Sequence, residues 1–421
     1  MNATHSKRRS QIAWALNAWG NHGFSTTILV GFFPIFFDKY WAKDLPGATS
    51  TFYLGLTNSA AAFVVMLLAP WLGALADLRG RKKLYLGWFT VLGVLASAAL
   101  ALVGAGQWQW ALLVFAAGQI GFFASYSFND ALLVQVADAH ESDQVSSFGF
   151  AMGYLGGGLL FLFDVLIALH PAWFGLADAT AATRAAFFSV AAWWALFCLP
   201  LFRYVPEGPP SAAATGWREL VQTLKSVLGN KPVLQFLIAY WLYIDAIGTL
   251  QQMAVDFGAK LGFSTNNLIT ALLLVQFISF PAAWAFGPLA RWIGTKRAIY
   301  LGLAVFCGLS IWAYFMQTER QFYEMAVGVA LVQGGVQALS RSYFSRLIPR
   351  ERSGEYFGFY NMLAKFAAVL GPAAMGVVAV TTGNQRLSIL VLILFFVIGG
   401  WLLSRVRAPA AALTTAGGSG G

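Results

Sequence analysis

Five ionisable residues, Asp130, Asp164, Asp245, Arg341 and Lys365, stand inside stretches of the chain that are otherwise apolar. Carrying such a group to the middle of a bilayer costs at least about 2.5–3.5 kcal/mol on insertion scales, so each needs a partner or a task. An acid and a base can pair as a gate, or bind the opposite charges of a solute. An acid whose cation partner comes and goes can also load and release a proton. Asp245 lies about 14 residues into its run, near the midplane at about 1.5 Å per residue, and is the first candidate proton carrier; Asp130 is the second. Asp130 and Arg341 also read as a gate, and Asp164 lies near the end of its run. Polar residues gather around these charges at helical spacing. Asn17, Asn21 and Ser25 share a face, with His22 adjoining; Gln119, Tyr126 and Asp130 share another, with Asn129 beside them. Asp245, Thr249 and Gln252 follow Tyr243; Gln333, Gln337 and Arg341 align, as do Asn361 and Lys365. A plainer reading stands beside this one: the charges pair for assembly alone, and His22 is as readily a satisfied packing residue as a ligand.

The elements that must position these side chains are set by composition. Hydrophobic residues make up 58% of the chain and charged residues only 10%, against roughly 25% charged in soluble domains, so the solvent is lipid. Apolar runs of the length that crosses a bilayer recur from Gln11 to Leu403. They predict twelve spans, at 11–37, 53–76, 84–105, 108–137, 146–169, 185–204, 232–256, 267–290, 298–317, 322–348, 355–380 and 385–404. The formal charge of +10 could suggest a nucleic-acid partner, but the basic residues sit on alternate connections. With the N-terminus in the cytoplasm, 19 Lys and Arg fall inside and six outside, which predicts both termini cytoplasmic. The first apolar run is too long and too polar for a cleavable signal. Cys198 and Cys307 lie in apolar runs and suggest neither a disulfide nor a metal site. No phosphate-binding Gly-Lys-Ser/Thr loop appears, so a proton gradient is the simplest driver and no cofactor is expected. Without a nucleophile motif, paired acids in a soluble cleft or metal-ligand spacing, an enzyme is the least favoured class.

The chain repeats itself. Gly73-x-x-x-Asp77-x-x-Gly80-Arg81-Lys82 after span 2 returns after span 8 as Gly287-x-x-x-Arg291-x-x-Gly294-Thr295-Lys296, an offset of 214 that also relates Gln119 to Gln333. The first copy resembles the signature loop of the major facilitator superfamily. That resemblance implies two pseudo-symmetric six-helix bundles, at 1–204 and 232–407, joined by a linker at 205–231 rich in proline. Residues 408–421 form a tail whose Gly-Gly-Ser-Gly-Gly end reads as an added linker. It also implies a latch, in which Asp77 meets Arg81 and the positive N-terminal end of span 11, with Gly73 and Gly80 permitting the close approach. By symmetry Arg291 would meet Asp138, Glu141 or Asp143 between spans 4 and 5.

A closer resemblance runs along nearly the whole chain. Trp14-Ala-Leu-Asn-Ala-Trp19-Gly-Asn21-His22-Gly-Phe24 is similar to a W-A-L-Y-D-W-A-N-S-A-F pattern, departing from it at Asn17, Ala18 and His22. Tyr243-Ile-Asp245-Ala-Ile-Gly-Thr249, Gln333-Gly-Gly-Val-Gln337-Ala-Leu-Ser340-Arg341-Ser342, Asn361, Lys365 and Gly371-Pro372 complete it. The family resembled is a bacterial major facilitator subfamily named for its unknown function, with its relative, the autophagy-linked vacuolar amino-acid effluxer. In that fold spans 1, 4, 7 and 10 line a central cavity and span 11 contributes from the side, so the polar faces become one site near the midplane. Lys365 and Arg341 would take a carboxylate and Asp245 an amine, suiting an amino acid or short peptide. The expected function is proton-coupled secondary transport of such a solute by a monomer in the bacterial inner membrane. An exporter of amphiphilic compounds and a non-transporting receptor or scaffold are the alternatives.

Overall fold

The computed structural model describes residues 2–211, 225–260, 265–382 and 385–407. Nearly all of these are helical and fall into twelve runs. The first, α1, opens as Asn2–Gly23 and continues through π-helical Phe24–Phe32, the turn Phe33–Phe36 and π-helical Phe37–Trp41. It is followed by α2 (Gly47–Arg79), α3 (Lys82–Leu100), α4 (Trp108–Ala131 with Leu133–Val136), α5 (Ser142–Leu169) and α6 (Ala179–Tyr204). The second six are α7 (Lys231–Lys260), α8 (Thr265–Ile293), α9 (Thr295–Phe315), α10 (Glu319–Ser345), α11 (Ser353–Thr382) and α12 (Gln385–Ile389 with Val391–Arg405). Among the described residues ten helices are long and apolar enough to cross a membrane, and α1 and α10 are not among them. Both carry polar faces predicted from the sequence, and α10 holds Gln333, Gln337 and Arg341.

Local chemistry sets the ends. The Asp178 carboxylate accepts from the Ala181 amide at 2.8 Å and starts α6. Thr318 and Gln321 close a capping box on α10. Gly80 ends α2 with φ 59°, a left-handed turn that a side chain would strain. Prolines 70, 200, 281, 288 and 372 lie inside helices, as membrane-spanning helices tolerate.

Packing inside the first six helices centres on aromatic rings, with Trp41, Phe33, Phe115, Phe187 and Trp194 all buried. A separate core around Phe236, Tyr243, Phe306, Phe344 and Phe357 fills the second six. Phe150, Ala151 and Tyr154 of α5 meet Ala283 of α8 and Ala338 of α10 between them. The outer surface stays apolar: Trp88, Leu95, Trp110, Leu199, Trp292 and Trp401 point outward, as expected where lipid supplies the apolar surroundings. The start of α1, the segment just after α6 and the end of α12 share one face, called here the terminal face. Lys7 reaches Asp138 at 2.6 Å, Lys296 donates to the Val406 carbonyl, and Glu207 accepts from the Lys82 and Lys83 amides at 2.9 and 2.8 Å.

Across the two sets, α2 packs on α11 and α5 on α8. The α2–α11 contact is backbone against backbone. A Cβ on Gly73 would strike the Gly354 carbonyl, and one on Gly354 would sit 2.8 Å from the Gly73 carbonyl oxygen. Overpacking of this kind costs about 1–3 kcal/mol, here charged only to the state in which the helices touch. Gly73→Val is therefore expected to lower the population closed at the terminal face by roughly 5–150-fold, read as distances between spin labels on α2 and α11; an unchanged distribution would contradict this packing.

Candidate functional site

The side chain tying the two halves together at the centre is Arg341 of α10, 2% exposed. Its Nη1 donates to Asp130 Oδ1 of α4 at 2.7 Å, Nε to Ser146 Oγ at 2.9 Å and Nη2 to the Ser146 carbonyl of α5 at 3.0 Å. The guanidinium lies between the Trp14 and Phe150 rings, 4.8 and 4.5 Å from their centroids, within cation–π range. Asn361 of α11 donates to Asp130 Oδ2 at 3.2 Å and to the Phe357 carbonyl at 3.0 Å. Trp14 Nε1 donates to the Asn129 carbonyl at 2.7 Å, and Asn17 Nδ2 to Asn129 Oδ1 at 3.0 Å. Five helices thus meet on one ion pair. The sequence supplied Asp130, Arg341, Asn17, Asn129 and Asn361; it gave no role to Ser146 or Phe150. Trp14 stood in the quoted pattern without a task.

Further residues line the same interior. The His22 ring packs on Tyr126 and Tyr154, with centroids 6.2 and 5.9 Å away. Asn21 is fully buried and its carboxamide makes no hydrogen bond. Lys365 Nζ sits 3.0 Å from the centroid of Phe123. Asp245 is 1% exposed, against the backbone of Gly371 and near Thr249, with no cation beside it among the described residues. Asp245 and Lys365 form no ion pair among the described residues. Other predicted members have structural partners. Tyr243 OH meets Ser340 Oγ at 2.6 Å, Gln119 donates to Asn58 of α2 at 2.9 Å, and Gln333 joins Gln251 and Ser279. Gln337 is half-buried. The side chain of Gln252 lies outside the described residues.

The terminal face is held shut by contacts between the halves. Asp77 accepts from the Gly354 and Glu355 amides at 3.0 and 2.8 Å, capping α11 as the resemblance implies. Its cation is not Arg81, which is exposed, but Lys82, buried with Nζ 2.7 Å from Oδ1. The reason is local: Lys82 is the first residue of α3 and points back under α2, whereas Arg81 sits in the turn and faces water. The expectation for Arg291 also fails. It is exposed, and the acid between α4 and α5 is taken by Arg346 of the α10 terminus, whose Nη2 and Nη1 lie 2.9 and 3.1 Å from Asp143. Thr295 and Ser342 donate to the same carboxylate. Lys7 and Asp138 form a side tether. The hydrogen bond from Lys7 holds the Asp138 carboxyl below its usual range, so this tether contributes above the ordinary carboxylate value and is lost as pH falls through the lowered one.

With this geometry in place, the chain can be compared with known proteins. The family model described as "Vacuole effluxer Atg22 like" matches residues 45–414. The MFS-type transporter YxiO of Bacillus subtilis, named as uncharacterized, is 35% identical over 94% of this chain and 95% of its own length. Autophagy-related protein 22 of Yarrowia lipolytica is 26% identical over 65% of this chain, which spans about half (52%) of that longer protein. Among solved structures, the human organic anion transporter MFSD10 superposes with a TM-score of 0.76 at 15% identity, covering 94% of this chain and 99% of that one. The proton:xylose symporter XylE follows at 0.72 and 16%, covering 96% and 97%. At such identities these two likenesses establish the major facilitator fold alone.

Removing one member of a buried pair costs about 3–5 kcal/mol because it strands the other. Arg341→Met is therefore expected to lower thermal stability sharply and Asp130→Asn/Arg341→Met to recover much of it; a double variant no better than the single would refute the pairing. At the terminal face Arg346→Ala should open the α5–α10 spin-label distance while Arg291→Ala leaves it unchanged, and the reverse result would restore Arg291 to the latch.

Proposed function

The chain belongs to the vacuole effluxer Atg22-like family and is a membrane transporter of the major facilitator fold, and from that premise we propose that it carries a small polar solute, an amino acid or related zwitterion, by proton-coupled alternating access. The observation that carries the reading is the pair of charges left uncommitted. In an interior where Arg341 is fully engaged, Lys365 of α11 rests on an aromatic ring and Asp245 of the adjoining α7 lies against the Gly371 backbone, and among the described residues neither has a partner of opposite charge. A buried charge without a partner is costly, and a zwitterion brings both missing partners at once. Its carboxylate would settle on the Lys365 ammonium and its amine on Asp245, with Asn21, His22 and Tyr126 offering the polar wall. When the amine is absent, a proton neutralises Asp245 instead.

Alternating access follows from which contacts are closed. The bundles 1–204 and 232–407 touch through Asp77, Asp143 and Asp130 at and below the terminal face. By its basic bias we assign that face to the cytoplasm of a bacterial inner membrane, with the chain working as a monomer. Rocking would break these contacts and open the Lys365–Asp245 region inward. An organic anion lacking an amine is the second reading. Lys365 suits it equally; Asp245 does not.

The test is a thermal-shift screen on purified protein followed by counterflow in liposomes with the hits. Amino acids or short peptides should stabilise the protein, and Lys365→Met should weaken their binding roughly 10–150-fold, as for a lost hydrogen bond to a charged group. Asp245→Asn should abolish gradient-driven accumulation while leaving exchange measurable. Binding of lipophilic cations with no response to amino acids would overturn the substrate class. Accumulation by Asp245→Asn with undiminished pH dependence would remove the proton from Asp245.

A further inference from the structure

We propose that Asp164 is a second proton-binding site, whose proton holds the half of α1 distal to the terminal face against α5 and α6. Asp164 lies on α5 and is fully buried. Ser189 of α6 donates to its Oδ1 at 2.7 Å. On its other side stands the Thr27 hydroxyl of α1, equally buried and within hydrogen-bonding reach of the carboxyl. Hydroxyls of α6 and α1 thus converge on a buried carboxyl with no cation beside it, and a hydroxyl accepts from a protonated carboxyl as readily as it donates to an ionised one.

Charge balance leads to the same conclusion. The elements packed on this stretch of α5 are α1, α6, α8, α10 and the turn after α5. Of their charged or titratable groups, Arg184 is spent on the Tyr40 hydroxyl and the Val103 carbonyl, Cys198 donates to the Ala195 carbonyl, and Asp178 caps α6. Asp38 accepts from Ser50, Lys39 is exposed, His22 packs between Tyr126 and Tyr154, and His170 stacks on Trp173. Arg320 pairs with Glu324 beside Glu319 and Tyr323 at the distal start of α10, Arg341 pairs with Asp130 at its other end, and α8 has no charged residue before Arg291. None of these is an ion-pair partner of Asp164 among the described residues. A carboxylate stranded in this way is far costlier to bury than the neutral acid. A hard metal cation would need about six oxygens or more, and a carboxyl with two hydroxyl neighbours offers too few, which leaves the proton.

Location gives the site its consequence. Thr27 lies in the π-helical run Phe24–Phe32, where the regular helical ladder is broken, a feature often found at functional sites. Thr26, one residue earlier, accepts from Gln276 of α8 at 2.9 Å, so the same turn is tied to the opposite half. Losing the Asp164 proton would leave an ion that demands water, and water enters only if this part of α1 moves away.

The inference does not depend on Asp245, because its test uses neither substrate nor gradient. Aspartate-labelled protein in nanodiscs is titrated from acid to alkaline pH and followed by infrared difference spectroscopy. A protonated-carboxyl band should appear in the wild type, survive Asp245→Asn in part, and lose the Asp164 component in Asp164→Asn. Should Asp164→Asn fold poorly, Thr27→Val should still fold and shift that band upward in frequency without removing it. In a background lacking Cys198 and Cys307, spin labels at the lipid-exposed Val30 and Phe188 should separate as pH rises, and stay fixed in Asp164→Asn. A spectrum that Asp164→Asn leaves unchanged would overturn the proposal, as would a band removed by sodium at constant pH.

Discussion

Placing Arg341 between the two halves imposes a condition on everything around it. A guanidinium has five N–H donors and cannot shed its charge, so in a low-dielectric interior its surroundings must supply acceptors from several directions. They do so from α4 and α5, and two aromatic faces cover what the oxygens leave open. Such an arrangement is a poor source of stability, because desolvation consumes most of the attraction. What it provides is selectivity among arrangements of the helices. Any displacement of α10 relative to α4 and α5 strands a charge, so intermediate positions are expensive and the closed position is well defined. An alternating-access transporter needs this property, since a path open at both faces at once would leak.

The contacts at the terminal face share this short-range, directional character. Asp77 binds two backbone amides at the start of α11, and Asp143 binds Arg346, Thr295 and Ser342 at once. Each acid lies in the first six helices and each set of donors in the second six. The interface therefore separates along a line where neither half must unfold, and the stranded groups emerge into water, where they are readily solvated.

Much of this was legible in the sequence, and the failures have physical reasons. Bilayer thickness fixes span length, so all twelve predicted spans have helical counterparts. The least apolar, α1 and α10, carry polar faces predicted to line the site. The resemblance to the superfamily's signature loop gave Asp77 its destination, and the chemistry agrees, because a helix N-terminus attracts a carboxylate whatever the surrounding sequence. Spacing could not decide between Arg81 and Lys82, where one residue of phase at a turn exchanges inside for outside. The symmetry argument for Arg291 failed similarly. A 214-residue offset relates backbones, and Arg346 reaches Asp143 from a helix end that the offset does not address. Ser146 and Phe150 were missed because a hydroxyl and an aromatic ring in an apolar run look like packing until the guanidinium that needs them is in place.

One element connects these sites. Along α11 the amides of Gly354 and Glu355 hold Asp77, Asn361 holds Asp130, Lys365 rests on Phe123, and Gly371 backs Asp245. From Gly354 to Lys365 the helix rises about 16 Å and to Gly371 about 25 Å, at about 1.5 Å per residue. A rod of that length cannot respond at one station without bearing on the others. An anion drawn to Lys365 would pull on the helix whose N-terminus is the terminal latch and whose Asn361 completes the central pair. Pro372, one residue beyond Gly371, is inside the helix and leaves the carbonyl four residues earlier without its donor, so bending is easiest in the turn 368–372, after Lys365. The stations from Gly354 to Lys365 thus lie on the stiffer segment. Coupling between Lys365, if it holds the solute as proposed, and the latch then needs no relay of side-chain rearrangements, only a rigid helix with the lysine at its middle and the latch at its end.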